Sequence, residues 1–240
     1  MKNNRNAMAW SGLMVAIGLS VAGYFVSQTL YKSKIAVNVA EVKGLAERTV
    51  RATQAIWKLD FTVSADATTP LEGLYREAEA RQQAIRDYLL QAGFTSSDIT
   101  IGVIDYAVRE YRNNNQVLVE RQHSLTGSLE VNSADVGRVA DVRAGVNSLI
   151  AKGIPLNNHA PRYLFTALNA IKPDMLREAT QNARIAANEF ASMADVKVGG
   201  IQHARQGNFS IRDTGEQYGD DRKIEKDVRV VTSITFYMTE

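Results

Sequence analysis

Trp57-Lys58-Leu59-Asp60-Phe61-Thr62-Val63-Ser64 alternates large apolar residues with polar ones without a break. Side chains of a strand leave it on opposite faces with a period of two, so Trp57, Leu59, Phe61 and Val63 define a buried face. Lys58, Asp60, Thr62 and Ser64 define a solvated one. Such a strand requires other strands at its sides and helices over its apolar face, and its flanks supply both. Upstream, Ile35, Val37 and Val39 alternate in the same way, and the run continues through Val42-Lys43-Gly44-Leu45-Ala46-Glu47 toward Val50. Downstream, Thr68-Thr69-Pro70 reads as a helix start, with threonine as cap and proline in the first turn. Leu71, Leu74, Ala78, Ile85 and Leu89 form one side of that helix, and Gly93 supplies a left-handed stop.

Further along, Ile99 to Tyr111 and Val117 to Val131 read as a hairpin turning at Asn113-Asn114-Asn115, because asparagine tolerates positive φ. Val117, Val119, Leu125, Leu129 and Val131 share one face; Glu120, Gln122, Ser124, Thr126 and Glu130 share the solvated one. Ser133-Ala134-Asp135 caps a second helix with Val136, Val139, Val142, Val146, Leu149 and Ile150 inward and Gly153 at its close. Arg162 to Leu168 forms a short strand. Pro173-Asp174 starts a third helix, whose inner stripe is Leu176, Ala179, Ala183, Ala187, Phe190 and Ala194. Val198 to Ile211 and Lys226 to Met238 close the chain as a hairpin, joined by the charged segment Arg212 to Glu225, expected to be mobile.

Strand, helix and hairpin thus occur twice, over Ile56 to Val131 and Arg162 to Met238, and Arg76-Glu77-Ala78 and Arg177-Glu178-Ala179 recur at matching helix positions. The expected fold class is α+β: two βαββ-like halves, an antiparallel sheet with helices packed on one face, preceded by a single N-terminal transmembrane helix.

That helix is AMAWSGLMVAIGLSVAGYFVSQTL, residues 7–30, which contains no charged residue. About 20 apolar residues span a bilayer core of about 30 Å. Lys2 and Arg5 precede the run, and Ser20-Val21-Ala22 offers a cut site of the signal-peptide type, giving a mature start near Gly23. Apolar character continues past that site through Tyr24, Phe25, Val26 and Leu30 to Lys32 and Lys34. This favours a retained anchor over a cleaved leader. Residues 1–34 are then a signal-anchor segment and residues 35–240 a domain beyond the inner membrane, in the periplasm; the alternative is a soluble periplasmic product of cleavage. Ala16 with Ser20 and Gly18 with Ala22 are small residues four apart, common in any such helix.

With 28 basic and 26 acidic residues the net charge is +2, so no strong field points to nucleic acid. The absence of cysteine excludes disulfides, thiolate metal sites and a cysteine nucleophile. His123, His159 and His203 stand on three separate elements, without the close spacing of a zinc helix. No Gly-x-Ser-x-Gly elbow occurs, and Gly199-Gly200 lies between a helix and a strand, the reverse of a dinucleotide loop. Glu216, Asp220 and Asp221 carry oxygen donors suited to a divalent cation, but are interleaved with Arg212, Arg222 and Lys223, so a solvated loop is the favoured reading. Tyr106, Tyr111, Tyr163, Phe165, Phe236 and Tyr237 suit either a ligand face or ordinary strand packing. No catalytic, cofactor-binding or metal residue is assigned, and no cofactor is expected.

Residues 35 to 239 resemble the SIMPL domain family of bacterial envelope proteins. The resemblance rests on Val42-Lys43-Gly44-Leu45-Ala46-Glu47 before the alternating strand, on the Leu89-to-Ile99 junction with Gly93, and most strongly on Tyr163-Leu164-Phe165-Thr166-Ala167-Leu168-Asn169. Lys172-Pro173-Asp174-Met175-Leu176 and the alanine-rich helix to Val198-Gly199 extend it. The chain has Thr53-Gln54 where the family usually has Pro-Asp. The resemblance implies a periplasmic or membrane-anchored protein that self-assembles, linked to envelope integrity and oxidative-stress tolerance, with no agreed enzymatic activity and hence no catalytic residues to carry over. The partners expected are other copies of the chain and the membrane through residues 7–30, with no nucleic acid; an alternative is a periplasmic module binding a small hydrophobic or envelope-derived ligand.

Overall fold

The chain begins with α1 (Asn3–Lys34), which is helical throughout and buries none of its span Gly12–Tyr31, whose mean hydropathy is 1.6. The computed structural model describes residues 3–34 and 38–239. Lys2 of the basic start and the alternation expected at Ile35 and Val37 lie outside those residues. A helix of a water-soluble core hides one face; here Met14 and Leu19 are 71% and 70% exposed, and Trp10, Phe25 and Val26 are exposed too. That is the character of a membrane span or a signal segment.

Two strands follow. In β1 (Val39–Arg51) Val42, Gly44 and Ala46 are buried in alternation, and in β2 (Gln54–Asp66) Ala55, Trp57, Leu59, Phe61 and Val63 are, as the period of two requires. The helix α2 (Leu71–Gln91) buries Leu74, Ala78, Ile85 and Leu89. Its cap differs from expectation: Pro70 holds the capping position and no side chain bonds the first amides. The Thr69 amide is used in a turn, donating to the Asp66 carbonyl at 2.8 Å. At the other end Gly93 adopts φ +93° and the Phe94 amide reaches back to the Leu89 carbonyl at 3.2 Å, a glycine-terminated helix end sealed by buried Phe94.

The hairpin is made of β3 (Ile99–Ile101), β4 (Asp105–Arg112) and β5 (Leu118–Ser133). Its turn closes by the Asn113 amide donating to Val117 O, and the Asn113 side chain accepts from the amides of Asn115 and Val117 at 3.0 Å each. The positive φ expected of an asparagine falls instead on Gln116, at 62°. The second helix is two pieces, α3 (Val136–Gly145), capped by Asp135 through the Arg138 amide at 3.0 Å, and α4 (Ser148–Ala151). The interruption falls at Gly145-Val146-Asn147, where glycine and asparagine favour helix weakly and Ile150 is left exposed.

After β6 (Asn157–Asn158) and β7 (Arg162–Leu164), α5 runs over Leu168–Met193, so it begins ahead of Pro173 rather than at it. Its buried stripe is Met175, Ala179, Ala183, Ala187 and Ala191 at strict intervals of four; Phe190 is 63% exposed and Ala194 is exposed. The alanines allow close approach: a Cβ added at Gly44 would stand 1.8 Å from the Ala179 carbonyl oxygen. The chain closes with β8 (Lys197–Gln206), β9 (Ser210–Asp213) and β10 (Glu225–Thr239). The expected single strand from Val198 to Ile211 is broken at Gly207, whose amide donates to Val231 O at 2.9 Å and whose missing Cβ would meet that oxygen at 2.4 Å.

The pairings of β10 with β8 and β9, of β2 with β5, β6 and β7, and of β5 with β3 and β4 are antiparallel. Six strands form one sheet in the order β3-β5-β2-β6, with β4 on β5 and β7 on β2; the other sheet has the order β1-β10-β8, with β9 on β10. Strand, helix and hairpin recur as anticipated, but the leading strands are exchanged: β7, first of the second half, pairs with β2, and β1 takes a place beside β10. The chain groups into two compact units, one of Glu47–Pro173 with Phe209–Arg229 and one of Met1–Ala46, Asp174–Asn208 and Val230–Glu240. The first holds a large core around Trp57, Leu59, Phe61, Ile85, Leu89, Leu129 and Val139. The second holds a small one of Val42, Ala183, Ala187, Ile234 and Phe236.

Candidate functional site

The residues singled out for chemistry are dispersed. His123 on β5 sits between the Tyr106 hydroxyl, at 2.9 Å from Nδ1, and the Ala67 carbonyl, at 3.2 Å from Nε2. The carbonyl can only accept, so Nε2 donates to it, and in the neutral ring Nδ1 then accepts from the tyrosine hydroxyl. His159, just after β6, pairs with Asp60 on β2, which also accepts from the Asn157 side chain at 2.8 Å. Burial pushes Asp60 up, but the hydrogen bonds from Asn157 and His159 and the charges of His159 and Lys58 prevail and hold it below the usual carboxylate range. His203 lines a shallow cleft on β8 with Glu41, Arg205, Ser233 and Thr235. Among the described residues no group of three or more His, Asp or Glu side chains is placed to hold a metal ion.

The segment from Arg212 to Glu225, expected to be mobile, is tied down on every side. Lys226 is fully buried and its ammonium pairs with Asp213, itself 2% exposed, while donating to the Asp220 carbonyl at 2.8 Å. Asp213 also accepts from the Arg222 amide at 2.9 Å. Burial raises Asp213, yet the Lys226 hydrogen bond, the amides of Arg222 and Lys223, and the Lys226 charge outweigh it and leave the carboxyl below its ordinary value. Asp221 pairs with Arg162 and Glu216 with Lys223, each at 2.9 Å, so two of the three candidate cation ligands are engaged by side-chain cations. The Tyr163 amide donates to Asp221 O at 2.7 Å and the Ala52 amide to Ile224 O at 2.7 Å. The cleft over this loop is lined by the charged residues Asp213, Glu216, Asp221, Arg222 and Lys223 together with Tyr218 and Gly219.

The aromatic residues do not form one face. Tyr163 belongs to the larger core and Phe236 to the smaller, whereas Tyr106 and Tyr111 stand exposed on β4. Those two lead to the feature that is out of keeping with a self-contained domain. β2 pairs with β5 from Ala55 opposite Ser133 to Asp66 opposite Gln122, where it stops. β5 continues outward to Leu118, paired with β4 alone, so the hairpin extends past the sheet as a two-stranded ribbon.

Every residue of β4 is exposed, as are Leu118 to Arg121 of β5. Val117 and Val119 lie in alternation with Leu125 as the sequence indicates, but are 58% and 68% exposed, beyond the point where β2 ends. Val108, Tyr111 and Leu118 are also open to solvent. Glu110 bridges Arg112 at 2.9 Å and Arg121 at 2.6 Å, and those hydrogen bonds hold its carboxyl below the usual range. Sequence reading assigned this hairpin to the sheet and missed its projection; the available signal was length, since β5 has 16 residues against 13 in β2.

The SIMPL family model, described as a protein of unknown function (DUF541), matches residues 40–236. No curated protein matches the chain. Among solved structures, an uncharacterized conserved protein from Listeria innocua is similar at 10% identity over 77% of this chain and 90% of that one, with a TM-score of 0.18.

Proposed function

This chain belongs to the SIMPL family, and from that premise we propose that it is a non-enzymatic, membrane-anchored envelope protein whose domains assemble side by side into a homo-oligomer. α1 holds it in the inner membrane with residues 35–240 in the periplasm, and the assembly contributes to envelope integrity or tolerance of oxidative stress. The observation that carries the reading is the set of open strand edges. Among the described residues β4 is bonded to β5 alone and β8 to β10 alone, and both are exposed along nearly their whole length. Unpaired amides and carbonyls along an edge form a template for another strand, and identical neighbours satisfy it. Confinement by an anchor raises the effective concentration of those neighbours.

Light scattering of the full-length protein in mild detergent at micromolar concentration tests the assembly, and a strict monomer removes it. A phosphatase fused at the C-terminus tests the topology. It must be active outside the cytosol; a reporter functional only inside refutes the placement.

A further inference from the structure

We propose that the ribbon of β4 and the outer part of β5 joins neighbouring copies head to tail, the open edge of β4 in one copy lying along the open edge of β5 in the next. The proposal rests on the self-assembly reading and names its contact.

Three features of the ribbon point to a second copy as occupant. Beyond Gln122 both of its edges are free of strand partners among the described residues: β4 on its outer side, and β5 from Leu118 to Glu120, because β2 has ended; Arg121 O accepts the Ala67 amide at 3.0 Å. A two-stranded hairpin alone is at best marginally stable in water. This one also carries exposed apolar side chains on both faces, with Tyr106, Val108 and Val119 on the side of Leu125 and Tyr111 and Leu118 on the other. It therefore cannot be satisfied by lying down on its own domain, which would cover one face and leave the edges open.

The charges then select the pairing. Asp105, Glu110 and Glu120 balance Arg109, Arg112 and Arg121, so the ribbon has no basic excess to favour an anionic lipid surface and no net charge to oppose stacking. Glu110 is already shared by Arg112 and Arg121. Arg109 has no side-chain partner among the described residues, and Glu120 accepts only from the neighbouring Gln122 amide group. Arg109 stands opposite Gln122 and Tyr111 opposite Glu120, so the free guanidinium and the under-used carboxylate project from the same face, one on each edge strand. Head-to-tail pairing brings Arg109 of one copy toward Glu120 of the next. Pairing β4 with β4 would instead join like edges and leave both β5 edges open. Head-to-tail contacts are heterologous, and they close into a ring when the rotation between copies permits.

The test uses full-length protein in detergent and three variants: Arg109→Glu, Glu120→Arg and the double swap. Both positions are exposed, and circular dichroism checks that each variant is folded. Each single change is expected to raise the concentration at which the oligomer dissociates about tenfold or more, by placing like charges together. The double swap is expected to restore wild-type mass, and an equimolar mixture of the two single variants to assemble as well, since each altered edge then meets its opposite. Single variants that match the wild type overturn the proposal, as does a double swap no better than either single. A wild-type protein that is itself monomeric fails at the earlier step and removes the self-assembly reading as a whole.

Discussion

Replacing Lys226 by methionine tests the account of the 212–225 segment at its buried centre. Lys226 is 0% exposed and Asp213 2%, so neither charge can turn to water when the other is removed. Lys226→Met keeps the length and apolar stem of the side chain but leaves the Asp213 carboxylate with the amides of Arg222, at 2.9 Å, and Lys223 in place of an ammonium. It also strips the Asp220 carbonyl of its 2.8 Å donor. Breaking a buried pair from one side costs about 3–5 kcal/mol, against a total of about 5–15 kcal/mol for an ordinary domain. Removing both charges by Lys226→Met with Asp213→Leu spares the stranded carboxylate and should recover at least about half of that loss. Urea unfolding followed by the fluorescence of buried Trp57 gives the two differences. Hydrogen exchange at the Asp213 and Tyr163 amides, bonded to Gly219 O and Asp221 O, reports whether the loop is released first. A single variant within about 0.5 kcal/mol of wild type, the range of ordinary surface changes, would refute the reasoning. So would a double variant as damaged as the single.

The same pair predicts an acid limit. Asp213 and Asp60 both have depressed carboxyl values in the folded chain, so their stabilisation is present above the unfolded value near about pH 4 and is lost as pH falls through the lower folded values; a urea midpoint unchanged between pH 5 and pH 2 contradicts this. Gly44→Val places side-chain atoms where Ala179 O already stands, and should cost more than the about 1–3 kcal/mol of ordinary overpacking or prevent folding, as circular dichroism and urea titration will show. Leu19→Arg sets a charge in the middle of α1 at a cost of about 2.5–3.5 kcal/mol to insertion, so the membrane-bound fraction after carbonate washing should fall; an unchanged fraction argues against α1 as a span.

Residues whose role depends on local periodicity were legible from the chain alone. Trp57, Leu59, Phe61 and Val63 declare a half-buried strand, Leu74, Ala78, Ile85 and Leu89 a helix face, and Gly93 a helix end, because a period of two or near four and a positive φ are properties of neighbouring residues. The apolar run of residues 7–30 was equally plain, since bilayer thickness sets a length that composition alone can meet. Other assignments failed where a distant residue decides. Arg212 to Glu225 is charged and glycine-containing, which reads as a mobile loop, yet it is held by Lys226, Arg162, Ala52 and Tyr163. Phe190 has the helical spacing of a core residue but lies outside the stripe that meets the strand, because the alanine interval of four sets the contact line.

The sequence by itself determined the α+β class, the buried faces of β2 and α2, the apolar leader and the family, all of which are written in short-range pattern and motif. Only the tertiary structure decided that β7 joins β2, that Asp213 and Lys226 share one buried place, and that Val117 and Val119 lie on a core-side face with no core above it. The physical reason is that alternation states which way a side chain points, whereas what it meets there depends on where other strands and helices end. β2 stops opposite Gln122, and from that one boundary follows the open β5 edge of the ribbon.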